Sequence, residues 1–223
     1  MEKDQNRLSR AVVTTKDGSN SIFVPELDEH YHSIHGAVQE ALHVFIGMGL
    51  DHCQTEPIHI LEVGFGTGLN CLLTCLTGRE VFYHGIEAYP VQQEILDKLN
   101  YSKLTGDNKN LFKSIHNASW QSHERITPYF RLLKDQILIQ EVEFTEQYNL
   151  IYFDAFGPRA QKELWDLKVY RKLYNAMASN GIFVTYCAQG QVRRDLQSIG
   201  FEVERLPGPP GKREMLRGTK YDR

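Results

Sequence analysis

His59-Ile-Leu-Glu-Val-Gly-Phe-Gly-Thr-Gly-Leu-Asn70 is the stretch from which the rest of the chain is read. Ile58, Ile60, Leu61 and Val63 make a short apolar strand that runs into three glycines, Gly64, Gly66 and Gly68. A helical pattern then opens at Leu69 and Leu72. Glycines at such a turn let the backbone approach a ligand closely, and the unpaired N–H groups of a helix start favour electron-rich atoms. A dinucleotide fold carries G-x-G-x-x-G, but the third glycine here comes one residue early, giving G-x-G-x-G. An acid, Glu62, stands just before the turn. The plain alternative is a glycine-rich strand–helix turn with no ligand.

Strands and helices alternate outward from this turn. Residues 10–25 read as a hairpin about Asp17-Gly18, a small N-terminal extension within residues 1–30 and apart from the main sheet. A helix is predicted over His35–Met48, ended by Gly49. After the turn come a helix over Asn70–Leu76, a strand over Val81–Ile86, and helices over Val91–Leu99 and Asn110–Ile115. A weaker helical segment spans Glu124–Tyr129, and strands are expected at Ile137–Ile139 and Leu150–Phe153. The chain closes with a helix over Glu163–Met177, a strand Ile182–Tyr186, a helix Val192–Ile199, a strand Phe201–Leu206 and a last strand over Lys212–Arg217. This alternation predicts an α/β fold, a Rossmann-like, doubly wound sheet occupying residues 31–223.

Composition excludes several classes. A hydrophobic content of 41% with 24% charged residues is ordinary for a globular protein, and no apolar run reaches the ~20 residues of a membrane span. The N-terminal MEKDQNRLSR is too charged for a signal peptide, so a cytoplasmic location is expected. Cys53, Cys71, Cys75 and Cys187 have neither disulfide nor zinc spacing. Glu29, His32 and His35 cluster without a third well-spaced ligand group, so no metal is expected. Tyr31, His32 and Ser33 read instead as site-facing residues ahead of the first helix. The net charge of −3 favours no partner, yet from Arg193 to Arg223 eight Lys/Arg meet five acids, which makes the C-terminal end the place where a phosphate would land.

Two further acids sit at strand ends. Glu87 closes the second strand 19 residues after Gly68, the position that holds ribose hydroxyls in nucleotide-binding α/β folds. Asp154 follows the apolar run Leu150–Phe153, which has the composition of a central parallel strand. Ligands bind at such C-terminal strand ends. A carboxylate there, flanked by Phe156 and Pro158, can orient an amine and accept its proton. The plain readings are a strand-end acid for Glu87 and a turn or cap residue for Asp154. Trp165 and Tyr186 read as core residues, Tyr186 with the option of lining the pocket.

The G-x-G-x-G turn after Glu62 resembles motif I of class I S-adenosyl-L-methionine (SAM) methyltransferases. Asp154-Ala-Phe-Gly-Pro, Glu163-Leu-Trp165, Thr185-Tyr-Cys-Ala-Gln-Gly190, Val192-Arg-Arg194, Gly200-Phe201 and Gly208-Pro-Pro-Gly-Lys-Arg-Glu-Met-Leu216 follow in order. With Gly64–Asn70 they resemble, over about residues 10–220, the methyltransferase domain of MnmC, the tRNA 5-methylaminomethyl-2-thiouridine-forming enzymes, and its stand-alone members. The resemblance implies SAM-dependent N-methylation of the aminomethyl group of 5-aminomethyl-2-thiouridine at the tRNA wobble position. It assigns cofactor contacts to Glu62, Gly64, Phe65, Gly66, Thr67, Gly68, Asn70 and Glu87, with Tyr31 and Ser33 nearby. It assigns the substrate amine to Asp154 and suggests that Lys212 and Arg213 lie beside the active-site mouth, where anticodon phosphates would meet them. Phe156, Pro158 and Tyr186 are candidates for the substrate side, and Arg193 and Arg194 are open between RNA contact and a solvated helix face. The family's usual proline before Glu163 is replaced by Lys162. Its usual Gly-Asp for the adenine amino group is not evident, which leaves Asp135, Gln140 and Glu141 open. Fused relatives carry a flavin-dependent oxidase domain, for which this chain has no room, so an aminomethyl substrate from another enzyme or route is expected. The rivals are a small-molecule amine methyltransferase or aminopropyltransferase on the same fold, against which the basic C-terminal stretch argues, and a non-catalytic RNA-binding module.

Overall fold

The computed structural model describes residues 8–145 and 147–221. Residues 1–7 of the expected extension, and Asp222 and Arg223 of the basic end, lie outside them. Strands β1 (Ala11–Thr14), β2 (Asn20–Val24) and β3 (Glu29–His30) form a separate three-stranded antiparallel sheet. The β1–β2 turn is tied by Asp17, whose carboxylate accepts from Thr15 Oγ1 at 2.7 Å and Ser19 N at 3.0 Å.

Helix α1 (Ala37–Ala41) continues as a π-helical stretch (Leu42–Gly47) and a short 3-10 turn (Leu50–His52). The main sheet has eight strands: β4 (Ile58–Val63), β5 (Val81–Ile86), β6 (His123–Thr127), β7 (Phe130–Asp135), β8 (Tyr148–Phe153), β9 (Met177–Thr185), β10 (Glu202–Pro207) and β11 (Glu214–Thr219). Their order is β10-β11-β9-β8-β4-β5-β7-β6. The five strands from β9 to β7 run parallel, β6 and β11 run against them, and β10 pairs antiparallel with β11. Strand β4 pairs β5 on one side and β8 on the other. Successive crossovers therefore leave β4 in opposite directions, which opens a crevice at its C-terminal end.

Helices cover both faces of this sheet. On one face α1, the π-helical stretch, α2 (Leu69–Leu76), α4 (Tyr101–Thr105) and α5 (Leu111–Asn117) pack on Ile60, Tyr83, Leu150 and Tyr152. On the other, α6 (Leu167–Ala176) and α7 (Gly190–Ile199) pack on Leu61, Ile151, Phe153 and Phe183. Adjacent residues of β4 and β8 face opposite cores, which is why both strands are apolar throughout. Helix α6 starts at Asp166, whose carboxylate caps Lys168 N at 2.8 Å.

Several expectations are corrected between residues 91 and 140. The segment Glu124–Tyr129 contains strand β6, not a helix, and Phe130–Asp135 is a strand that the sequence reading missed. In β7 the alternate residues Phe130, Leu132 and Lys134 are buried, and a lysine on the inner face conceals the period of two. Ile137–Ile139 is loop, with Ile139 buried in the second core and Ile137 packed against it. The helix expected over Val91–Leu99 shortens to α3 (Gln93–Leu96), and α4 was not anticipated. The helix expected over Glu163–Met177 is a 3-10 turn (Lys162–Trp165) followed by α6.

Candidate active site

The glycine turn lies at the crevice. Gly64, Gly66 and Gly68 have φ of +89°, +49° and +70°, a region that side chains rarely adopt. A Cβ on Gly64 would stand 2.5 Å from the Asp154 carbonyl oxygen, so this glycine lets β4 and β8 deliver their ends side by side. Phe65 is buried against Trp120 and His116, in space left by Gly85, where a Cβ would stand 2.3 Å from the Phe65 ring. His116 fixes the turn from α5: its Nε2 lies 3.0 Å from the Thr67 carbonyl oxygen and, as a donor, requires the Nε2–H form. Burial, with Lys134 nearby, holds its pKa at about 4, so the ring is neutral at physiological pH.

A cavity of about 880 Å³ opens over the turn. Tyr31, Gly64, Phe65, Gly66, Thr67, Asn70, Glu87, Asp154 and Phe156 all line it, so one strand-end crevice gathers residues spread over most of the chain. Glu87 is fixed by two backbone amides: Gly66 N donates to Oε2 at 2.9 Å and Tyr89 N to Oε1 at 2.9 Å. Asn70, in the first turn of α2, donates from Nδ2 to Glu62 Oε1 and to Asp154 Oδ2, each at 2.8 Å. Burial first, and then the Glu40 carboxylate, push Asp154 up to about 7. Tyr31 and Phe156 meet edge to face at 4.9 Å across the cavity wall.

The other expected residues stand elsewhere among the described residues. Glu62 lies beneath the cavity, buried, with Tyr83 OH donating to its Oε2 at 2.8 Å. Burial and the charge of Asp154 raise its pKa well above the usual carboxylate range. Gly68 turns toward His116, and a Cβ there would stand 2.9 Å from Nε2. Ser33 is outside the cavity, where its N–H donates to Glu40 Oε1 at 2.8 Å. Pro158 and Tyr186 do not line the cavity, and Tyr186 OH donates to the Ala155 carbonyl oxygen at 2.9 Å. Lys212 is drawn inward, paired with Glu40 and resting 3.8 Å from the centre of the Tyr186 ring. It is therefore engaged by the protein and not held out toward a phosphate. Arg194 and Arg213 are exposed and Arg193 half-buried, all three away from the cavity lining.

Sequence reasoning missed the walls. Arg10 of the N-terminal segment lines the cavity and donates to the carbonyl oxygens of Tyr89 at 2.6 Å and Pro90 at 2.9 Å. Arg159 lines the opposite side and reaches Glu29 Oε1 at 3.2 Å. These two arginines fasten the small sheet over the crevice from both ends. Of the three residues left open for adenine, only Gln140 lines the cavity, beside Ile137, Leu138 and Ile139. Asp135 is engaged by His84 Nε2 at 2.9 Å. No local pattern marks an irregular loop as a wall, so sequence offered no signal for residues 137–140.

The donor set suits a nucleoside sulfonium. Glu87 lines the cavity with a carboxylate fixed by backbone amides, and the loop 137–140 presents an apolar wall with one side-chain amide. Asn70 Oδ1 is a buried acceptor with no hydrogen-bond partner among the described residues. This sheet order with a SAM-type turn defines a class, the SAM-dependent methyltransferases. A family model described as S-adenosyl-L-methionine-dependent methyltransferase matches residues 112–221.

The relatives narrow the class to a methyltransferase domain of the MnmC type. The chain is 30% identical over 224 aligned residues to the tRNA 5-methylaminomethyl-2-thiouridine biosynthesis bifunctional protein MnmC of Cupriavidus metallidurans, covering 91% of this chain and 33% of the relative. It spans about a third of the length of the curated relatives it matches. The crystal structure of MnmC2 from Aquifex aeolicus matches with a TM-score of 0.75 at 22% identity, over 95% of this chain and 70% of that one. Spermidine synthase from Thermotoga maritima matches with a TM-score of 0.50 at 12% identity, over 96% of this chain and 73% of that one. These last two likenesses concern the fold alone, and the rival small-molecule reading is not favoured. Among the described residues no helix is long and apolar enough to cross a membrane.

Proposed function

We propose that the chain transfers a methyl group from SAM to a primary amine, the aminomethyl group of 5-aminomethyl-2-thiouridine at the wobble position of tRNA. The observation that carries this reading is Asp154, a raised carboxyl at a strand end in the same cavity as the glycine turn and Glu87. Glu87 would hold the ribose, Gly64–Thr67 the methionine side, and residues 137–140 the adenine, with Gln140 its polar contact. SAM supplies an electrophilic methyl on a sulfonium.

The protein's own task is to present the amine as a free base. An unperturbed alkylamine has a pKa near ~10.4 and is mostly an ammonium at neutral pH, without a lone pair. Asp154 binds this ammonium as an ion pair, takes one proton, and leaves the nitrogen lone pair in line with the methyl. A C–N bond forms as the S–C bond breaks, and the sulfur leaves as a neutral thioether. The proton on Asp154 passes to solvent when product leaves. A carboxyl that titrates near 7 is matched to both halves of this cycle. The edge-to-face pair of Tyr31 and Phe156 gives the amine's base an aromatic wall. Arg159, two-thirds exposed at the rim, with Arg193, Arg194 and Arg213 farther out, supplies cations for anticodon phosphates. Residues 8–30 of the extension serve as a wall of the site, and the setting is the cytoplasm, where tRNA is modified.

Nucleoside mass spectrometry tests this reading. Purified protein and SAM are incubated with tRNA that carries 5-aminomethyl-2-thiouridine. A gain of one methyl on that nucleoside, lost in Asp154→Ala, is the expected result. A protein that binds SAM but leaves every tRNA nucleoside unchanged would overturn the substrate assignment.

A further inference from the structure

Asp154 must do more than be present: one of its oxygens has to face the amine at the moment the proton leaves. Asn70 is built to set that orientation. It is 3% exposed, in the first turn of the helix that follows the glycines. Its single amide nitrogen spends both protons on carboxylates, one on Glu62 Oε1 and one on Asp154 Oδ2, each at 2.8 Å. Turned over, the amide would set Oδ1 against two carboxylates, so the pair of acids selects one orientation of the side chain. The lower acid is itself immobile, because Tyr83 OH donates to Glu62 Oε2 at 2.8 Å.

We propose that Asn70 is the positioning residue of the acceptor carboxylate, holding Asp154 by Oδ2 so that Oδ1 is the atom that takes the proton from the amine. This rests on the methyl-transfer reading above and adds to it a link between the cofactor turn and the acceptor. The residue that follows Gly68-Leu69 on the cofactor side is the one that orients the base on the substrate side. Serine in its place offers one donor and must choose between the acids; alanine and leucine offer none.

The charged and titratable groups around Asp154 come from every neighbouring element. Glu40 reaches it from α1 and Lys212 from the β10–β11 loop, as a mutual ion pair. Glu62 stands below it on β4, Tyr186 at the end of β9 and Tyr101 on α4. All remain when Asn70 is changed, so a shift in Asp154 reports the lost amide. Glu62 is the more deeply buried acid, and burial first and then the charge of Asp154 raise its pKa well above the usual carboxylate range.

The test is a carboxyl-selective ¹³C NMR titration of aspartate-labelled protein without added ligands, with the Asp154 resonance assigned by its loss in Asp154→Asn. In the parent chain it titrates near 7. In Asn70→Ala and Asn70→Leu the midpoint rises by about one to two pH units, the size expected when a buried carboxylate loses a hydrogen bond. In Glu62→Gln, whose amide oxygen still accepts from Asn70, the midpoint stays in place. With tRNA and SAM, the acid limb of kcat/KM for Asn70→Ala moves upward by the same interval, and SAM affinity falls less than the rate. An Asp154 midpoint unmoved in both folded Asn70→Ala and folded Asn70→Leu overturns the proposal, and so does a rate loss with an unshifted acid limb. If the NMR midpoint moves but the parent chain methylates no tRNA, the positioning role holds and the assigned substrate is wrong.

Discussion

The two halves of the cavity are built in different ways. The proposed cofactor half is mostly local: one twelve-residue stretch supplies strand, glycine turn and helix start, one acid, Glu87, is locked to that turn through Gly66 N, and the loop 137–140 is the one wall added from farther along the chain. The acceptor half is assembled from distant segments. Asp154 comes from the end of β8, Tyr31 from the N-terminal segment, Glu40 from α1, and Lys212 from the loop between β10 and β11. A backbone-built site tolerates changes in surrounding side chains but not in its glycines. An assembled site loses chemistry one residue at a time while the fold persists.

The largest effect is therefore expected at the turn. Gly64→Ala places a Cβ against the Asp154 carbonyl oxygen at a φ of +89°. This costs about 1–3 kcal/mol of backbone strain, to which the steric contact adds. Thermal unfolding should show a fall in Tm of several degrees, and calorimetry should show no SAM binding. A Gly64→Ala protein with parental SAM affinity would break the view of a backbone-built half.

Asp154→Asn comes next and should act only on the other half. The turnover with tRNA falls by about 10²–10⁴, the usual weight of a general base. The same variant gains stability, because a carboxyl with a raised pKa opposes folding once it must ionise. Between the ordinary carboxylate pKa and the folded value near 7 the native state holds the extra proton, so the parent chain loses stability as pH rises through this window. Tm of Asp154→Asn therefore exceeds the parental value more at pH 8 than at pH 5, which paired melting curves would check.

Smaller effects follow on the cofactor side. Glu87→Gln loses a charged acceptor and should weaken SAM by about tenfold at unchanged saturated turnover, as read by calorimetry and initial rates. His116→Ala removes the donor to the Thr67 carbonyl and should weaken SAM by about threefold to fivefold, the net worth of one neutral hydrogen bond. The smallest change belongs to the rim. Arg159→Ala should raise the tRNA KM about twofold to threefold at low salt, with the difference fading as salt screens the phosphates.

What could be read in advance follows the same division. Strands β4, β5 and β8 and the turn were legible because their signals are contiguous: apolar runs, three glycines, and acids at strand ends. The place of Asp154 was legible as well, since an apolar run with the composition of a central parallel strand ends just before it. Lys212 was misplaced because a basic residue after a Pro-Gly loop looks solvent-facing. Only the fold shows that Glu40, 172 residues away, draws it inward. Ser33 sits beside site residues in sequence, yet its N–H is turned to Glu40. Strand β7 was hidden by Lys134, whose ammonium finds the carbonyl oxygens of Ile115 at 2.8 Å and His116 at 3.1 Å in place of water. Partners that are distant in the chain leave no periodicity to read.

The central claim is that the cavity separates cofactor binding from acceptor chemistry, with Asp154 only on the acceptor side. Calorimetric titration of SAM into the parent chain and Asp154→Asn, paired with single-turnover methylation of aminomethyl-bearing tRNA, tests it directly. SAM affinity equal within about twofold, with methyl transfer lost in the variant, is the result predicted. Loss of SAM affinity in step with methyl transfer would place Asp154 in the cofactor half and contradict the account.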